Sequence, residues 1–243
     1  MIERAGDHLA RFSLQGRKML RKILFPLILG LSGCAVLISL GTWQVSRLAW
    51  KEDILGGINA RLDADPVPLS FDVTEQADEY SRVTLTGMPT GEELHVLVSG
   101  TQAGTGYRVI SKVVTTGGPI LVDQGLLSLD AKDAPPLVVP MQITGTLLWP
   151  DDQNDNTPDP DLAENIWFAR NIEMMSAVLG TEPLMVVATT ATPADPRITP
   201  LPVNTANIKN DHFEYAVTWF LLAIVWATMT LFLIRRTLRP KDT

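Results

Sequence analysis

The chain has 243 residues, 46% of them hydrophobic, and a formal net charge of −7. That acidic balance argues against a nucleic-acid binder. The only cysteine, Cys34, leaves no partner for a disulfide, no C-x-x-C-H for covalent haem attachment and no thiol pair for a copper carrier.

In chain order, a basic segment comes first. Residues 1–22 carry six Lys/Arg against Glu3 and Asp7, and Arg17, Lys18, Arg21 and Lys22 sit just before an apolar run, Ile23–Leu40. A second run, Ala216–Ile234, is followed by Arg235, Arg236, Arg239 and Lys241. Neither run contains a charged residue, and a helix over the second spans about 28 Å, close to the thickness of a bilayer core. Two buried core helices of a soluble protein are the alternative; the flanking charges favour a membrane. The region between is acidic, with 10 Lys/Arg against 23 Asp/Glu over 44–212. The positive-inside rule then places both tails in the cytoplasm and the acidic region outside. A cleaved signal peptide would also begin with positive charge, but Gly41-Thr42-Trp43-Gln44 follows the first run where an A-x-A-like site would stand. The expectation is a retained anchor. The division is a cytoplasmic tail (1–22), a transmembrane helix (23–42), an external β-rich domain (43–212), a second transmembrane helix (213–234) and a second tail (235–243). The fold class is two transmembrane helices flanking a mainly antiparallel β domain with minor helix.

The first helix extends beyond the membrane, over 43–62. Trp43, Arg47, Trp50, Ile54 and Ile58 recur at spacings of three and four, with Gln44, Leu48 and Lys51 beside them, and Pro66 and Pro68 end the helix. Gly30, Gly33, Cys34 and Gly41 permit close approach of the second span, and Pro26 can kink the first. The domain then reads as strands. Arg82–Met88 and Glu92–Ser99 flank Pro-Thr-Gly, which predicts a hairpin; Tyr107–Thr115 and Ile120–Asp123 predict another around Gly117-Gly118. Val138–Trp149 and Leu184–Thr190 supply further strands. Asp151–Asp161 is acidic and Pro-containing but lacks the glycine and terminal glutamate of an EF-hand, so it reads as a solvated loop. Asn171–Leu179 is a short helix stopped by Gly180.

Three histidines are present. His8 lies in the first tail, and His95 reads as a strand residue facing solvent. His212 sits where the external face meets the second span, and helical spacing puts it on one face with Tyr215, Trp219, Ala223 and Trp226. Two readings stand. Interfacial aromatics and a hydrated histidine belong to an ordinary membrane belt; alternatively, the imidazole ligates a haem iron lying against Trp219. Arg47 and Lys51, four residues apart outside the same membrane face, are either snorkelling anchors or partners for an anion such as a propionate. No G-x-S-x-G, P-loop, Rossmann or metalloprotease motif occurs, so the expectation is a protein that is not an enzyme.

Both ends resemble one family. Leu40–Lys51 (LGTWQVSRLAWK) is similar to the L-G-x-W-Q-x-x-R-x-x-W-K signature of the Surfeit-locus cytochrome c oxidase assembly proteins, and Asp211–Phe220 (DHFEYAVTWF) to their N-H-x-x-Y-A-x-T-W-F. Gly106-Tyr107-Arg108-Val109, Gly145–Pro150 and Asn165–Arg170 resemble the family's G-Y-x-V, G-x-L-x-x-P and N-x-W-Y-x-R. The chain departs from the pattern at Asp123-Gln124-Gly125-Leu126, where N-R-G-W is usual, and at Asp211, where an asparagine is usual. The resemblance implies an assembly factor for haem-copper oxidase in a bacterial inner membrane. It implies binding of haem a and assistance in its placement in the haem-bearing catalytic subunit, the expected partner. It puts the haem-linked histidine on His212 and the accompanying tryptophan on Trp219; Tyr215, Arg47 and Lys51 complete the candidate cofactor site. The alternative is a cofactor-free scaffold that holds oxidase subunits through its spans and β domain.

Overall fold

The computed structural model describes residues 3–101, 103–206 and 208–239. They fall into two units. One comprises the long helices, up to Ile54 and from Ile208 onward; the other begins at Leu55 and contains the sheet.

Helix α1 covers Glu3–Leu62, running through Pro26 and past Gly56 and Gly57; the last long helix covers His212–Leu238. Both are long and apolar enough to cross a membrane. Exposure separates them from core helices of a soluble protein. Phe25 is 73% and Phe232 68% exposed, with Leu31 and Ile224 similar, so large apolar side chains stand uncovered by protein around both helices. That distribution is consistent with insertion in lipid.

The two helices meet through small residues. Gly30 lies against Thr230, Gly33 against the indole of Trp226 and Gly41 against the ring of Phe220; a Cβ at any of the three would overlap its neighbour. The Cys34 thiol points to the carbonyl of Ala223 at 3.9 Å, and Ala216 and Ala223 are buried. As residue numbers fall on α1 they rise on the partner, as an antiparallel pair requires. Close backbone approach here replaces the hydrophobic drive that lipid cannot supply.

The second unit is a closed sheet. Its strands are β1 (Val67–Pro68), β2 (Arg82–Thr101), β3 (Gly104–Thr115), β4 (Gly118–Ser128), β5 (Met141–Leu147), β6 (Ile166–Trp167), β7 (Met185–Thr192) and β8 (Ile198–Thr199). Helices α2 (Glu75–Asp78) and α3 (Ile172–Leu179) complete the unit, and His212–Leu238 becomes α4. Neighbours run β2-β3-β4-β7-β5, and β5 returns to β2, closing the barrel. Most pairings are antiparallel; β4 with β7, and β1 and β6 with β2, are parallel. The expected class, two apolar helices flanking a mainly antiparallel β domain, is the observed one.

The expected hairpin at Pro89-Thr90-Gly91 is absent. Arg82–Thr101 is one strand, and the residues on both sides of the Pro-Thr-Gly pair with β3 in the same direction, Met88 with Val114 and Glu93 with Ser111. The segment is a bulge: β2 goes from Pro89 to Glu93 while β3 goes only from Val113 to Ser111. Proline has no N–H for the ladder and Gly91 takes φ +87°, features that suit a bulge as well as a turn. β2 serves two partners that overlap just before the bulge: Arg82–Gly87 pairs with β5, while Gly87–Pro89 and, past the bulge, Glu93–Val98 pair with β3. One long strand thus turns the corner that closes the barrel.

Side chains alternate between two cores. Val113, Ile120, Val122, Ile143 and Val186 fill one face, while Ile110, Leu121 and Met185 meet Trp167, Ile172 and Met175 on the other. α3 supplies that outer cover. Asn171 caps its first turn by accepting from the Met174 N–H at 2.8 Å, and Gly180 ends it at φ +64°, as the sequence predicts.

Charged groups are buried in pairs. Asp123, fully buried on β4, accepts from Arg108 at 2.7 Å and faces Arg170 at 3.3 Å; Arg170 also binds Asp152 at 2.6 Å. Asp195 faces Arg197 at 2.7 Å, and Arg197 reaches Glu93 at 2.9 Å. Burial pushes the Asp195 carboxyl up, but hydrogen bonds from the Arg197 guanidinium and from the Arg197 and Leu137 backbones outweigh it and hold the group below its ordinary value. A carboxyl depressed in the folded state contributes stability above its unfolded pKa, near ~3.9, and loses it as pH falls through the folded value. Urea midpoints of the wild type should therefore fall below about pH 4, and Asp195→Asn should flatten that limb. An unchanged acid limb in the variant would show that the pair is not linked to folding.

Candidate functional site

The helical unit brings His212 to Gln44. His212 is the first residue of α4 and Gln44 lies on α1 beyond Gly41; the imidazole Nδ1 is 2.7 Å from Gln44 Oε1. With the amide oxygen, an acceptor only, facing the ring, the contact calls for a proton on Nδ1, and in the neutral imidazole that tautomer leaves the lone pair on Nε2. Both side chains are half-buried. The contact exists because Gly41, less than one turn before Gln44, admits the ring of Phe220 and draws the helices together at this level.

The other sequence-predicted residues divide. Trp219, half-buried, lies two turns below His212 on the stripe that includes buried Ala216 and Ala223. Tyr215, three residues after His212, is 56% exposed. Lys51 donates its ammonium to the backbone carbonyl of Lys209, tying α1 to the segment that leads into α4. Arg47 is exposed, its guanidinium carbon 4.2 Å from the ring centroid of Trp50. The five residues therefore do not form one contact cluster: His212 is bonded to Gln44, Lys51 to a carbonyl, and Arg47 is the cation left available to an anion. Sequence reasoning placed Gln44 beside the basic face and gave it no role. Its fifth position in the L-G-x-W-Q signature and its place one turn before Leu48 were the available signals.

His95 corrects an expectation. It is buried, not solvent-facing, because β2 is covered on both edges at this point: His95 pairs with Val109 on β3 and Ile166 on β6. Its ring lies 5.6 Å from that of Tyr107, its Nε2 is 3.6 Å from a Glu93 carboxylate oxygen, and neither ring nitrogen has a hydrogen-bond partner.

The donor set at His212 fits a haem. Among the described residues no three His, Cys, Asp or Glu converge to hold a bare metal ion. A single imidazole held at Nδ1 by Gln44 could hold a haem iron through Nε2, and the porphyrin would supply the remaining donors. A half-buried tryptophan below it offers packing, and exposed Arg47 offers a charge for a propionate. Asn210, two residues before His212, has a buried Oδ1 with no partner, an acceptor free for a ligand donor.

The SURF1 family model matches residues 31–224. Similar relatives include Surfeit locus protein 1 of Takifugu rubripes, 29% identical over 217 residues, covering 76% of this chain and 87% of that protein. Surfeit locus protein 1 of Gallus gallus is 28% identical over 210 residues, covering 74% and 66%. That of Homo sapiens is 26% identical over 212 residues, covering 74% and 68%. The family match takes in both residues of the His212–Gln44 contact and the whole barrel, so the chain belongs to the SURF1 family, membership of which implies a role in cytochrome c oxidase assembly.

Proposed function

We propose that this chain binds haem a at the outer end of its helix pair and assists its insertion into the catalytic subunit of cytochrome c oxidase. The observation that carries the reading is the 2.7 Å bond from His212 Nδ1–H to Gln44 Oε1, which leaves Nε2 free to ligate. His212 would hold the iron, Trp219 would pack on the macrocycle and Arg47 would pair with a propionate. Tyr215 and Lys51 would line the margin, Lys51 chiefly by fixing the chain before α4. When bound, the haem is cargo whose redox chemistry belongs to the oxidase. The chain's own work is to bind it, orient it and shield one face.

The test is an absorption spectrum of the full chain purified from cells that make haem a. A haem a band at near-stoichiometric occupancy is expected. Haem-free protein from such cells, still supporting oxidase assembly, would favour the cofactor-free scaffold.

The charge distribution supports spans over 23–42 and 213–234 with both tails cytoplasmic and the barrel on the opposite side, which in a bacterial inner membrane, the location we infer from the family resemblance, is the periplasm. Reporter fusions after Leu126 should read periplasmic, and fusions after Thr243 cytoplasmic. A cytoplasmic signal at Leu126 would reverse the orientation.

A further inference from the structure

We infer that Gln44 is a positioning residue that sets the strength of the iron bond at His212: it fixes the tautomer that presents Nε2 and, being a neutral acceptor, keeps the imidazole a releasable ligand. This rests on the haem reading.

The argument begins with the acceptor. An imidazole free in water exchanges between its two neutral tautomers and rotates about its side-chain bonds. Here the ring is held from one side by an amide oxygen at 2.7 Å, which only a protonated Nδ1 can satisfy. The ring orientation and the ligating nitrogen are therefore chosen before any ligand arrives. That pre-organisation is what an outer-shell partner provides at a metal-bound histidine, and losing such a partner typically weakens metal affinity about 10–100-fold.

The chemical type of the acceptor matters as much as its presence. A carboxylate opposite an imidazole N–H draws the proton towards itself and pushes electron density onto the other nitrogen, raising its basicity as a ligand. An amide oxygen carries no full charge and does this only weakly. Among the described residues no carboxylate pairs with the His212 ring: Asp211 makes no side-chain hydrogen bond as helix cap, and Glu214 and Asp211 are both exposed. For a protein that must yield its cargo, a fixed but weakly activated imidazole combines capture with release.

Gln44 also makes this setting depend on the helix pair. Its partner is on α4, and the nearest close approach, Gly41 against Phe220, lies on the same side of α1. Lys51 bonding to the Lys209 carbonyl fixes the same two segments from beyond Gln44. Parting the helices at this level would remove the acceptor from His212, so the tautomer is held only while the pair is docked.

The experiment uses the full chain in lipid nanodiscs, as wild type, Gln44→Leu and Gln44→Glu, with haem a as the probe. Nitrogen-15 histidine spectra of haem-free protein read the tautomer directly. Wild type should show His212 with Nδ1 protonated and Nε2 bare, and Gln44→Leu should shift it to an exchanging mixture. With haem a added, Gln44→Leu should bind about 10–100-fold more weakly. Gln44→Glu should release haem more slowly than wild type and lower its reduction potential. The Glu variant keeps an acceptor of the same length, so a general folding defect cannot reproduce that opposite pair of effects. Protonated Nε2 in the wild-type spectrum overturns the tautomer assignment and the inference with it. Equal haem affinity and equal potential in all three proteins overturns the role of Gln44 alone. Failure of the wild type to take up haem a overturns the haem reading on which the inference stands.

Discussion

His212→Ala is expected to abolish co-purified haem a and to lower the haem content of the oxidase, while the protein inserts and accumulates normally. Removing an outer-shell partner of a metal ligand costs about 10–100-fold in affinity, so removing the ligand itself should cost more. The barrel offers no replacement: His95 is 6% exposed, enclosed between β3 and β6. Normal accumulation is expected because the helix pair is held mainly elsewhere, by Gly30 on Thr230, Gly33 on Trp226, Gly41 on Phe220 and Lys51 on the Lys209 carbonyl. Trp219→Ala should weaken haem retention less, since it removes packing and leaves the ligand. Haem at wild-type occupancy in His212→Ala would reject ligation by this residue.

Asp123→Ala should be the most damaging single change in the barrel, costing about 3–5 kcal/mol, the range for breaking a buried ion pair from one side. Asp123 is fully buried and faces two guanidinium groups. Arg170 would keep Asp152, but Arg108 would be left with only the carbonyl of Leu201, at 3.1 Å. A guanidinium does not shed its proton inside a protein, so the charge cannot be relieved by deprotonation. An uncompensated buried charge would follow. Asp123→Asn, which keeps an acceptor, should cost less. Denaturant unfolding of the full chain, followed through the buried Trp167, measures both. A loss below about 0.5 kcal/mol in Asp123→Ala, the size of an ordinary surface change, would show that the pairs contribute no net stability.

The same position illustrates a departure from the family pattern. Where N-R-G-W is usual, Asp123 carries a charge and Gln124 replaces the arginine. The Gln124 amide donates to Ser111 Oγ at 2.7 Å inside the barrel, and the arginines that meet Asp123 come from β3 and from the segment after β6. Gly125 is retained for a backbone reason. Its φ is +125°, and a Cβ there would overlap the carbonyl of Thr199. The internal motifs shared with the family serve the barrel: Trp167 fills the outer core and Arg170 holds Asp123.

The sequence by itself determined the features that depend on local pattern. Uncharged apolar runs specify two long apolar helices, whose large side chains stand uncovered by protein, as suits a lipid surrounding. Asn171 and Gly180 bracket α3 because capping involves only neighbours within a turn. The β3–β4 hairpin was legible because Gly118 turns the chain between adjacent strands, at φ +132°. Tertiary structure decided whatever depended on a distant partner. Pro-Thr-Gly suits both a turn and a bulge, and only pairing of both its flanks with β3 makes it a bulge. Strand alternation could not foretell that β6 would cover β2 and bury His95, nor that β5 would pair with β2 and close the barrel. Gln44 and His212 stand 168 residues apart. Their contact is set by the glycine face of α1 meeting Phe220, Trp226 and Thr230 of α4 in antiparallel register, a geometric condition no local segment contains.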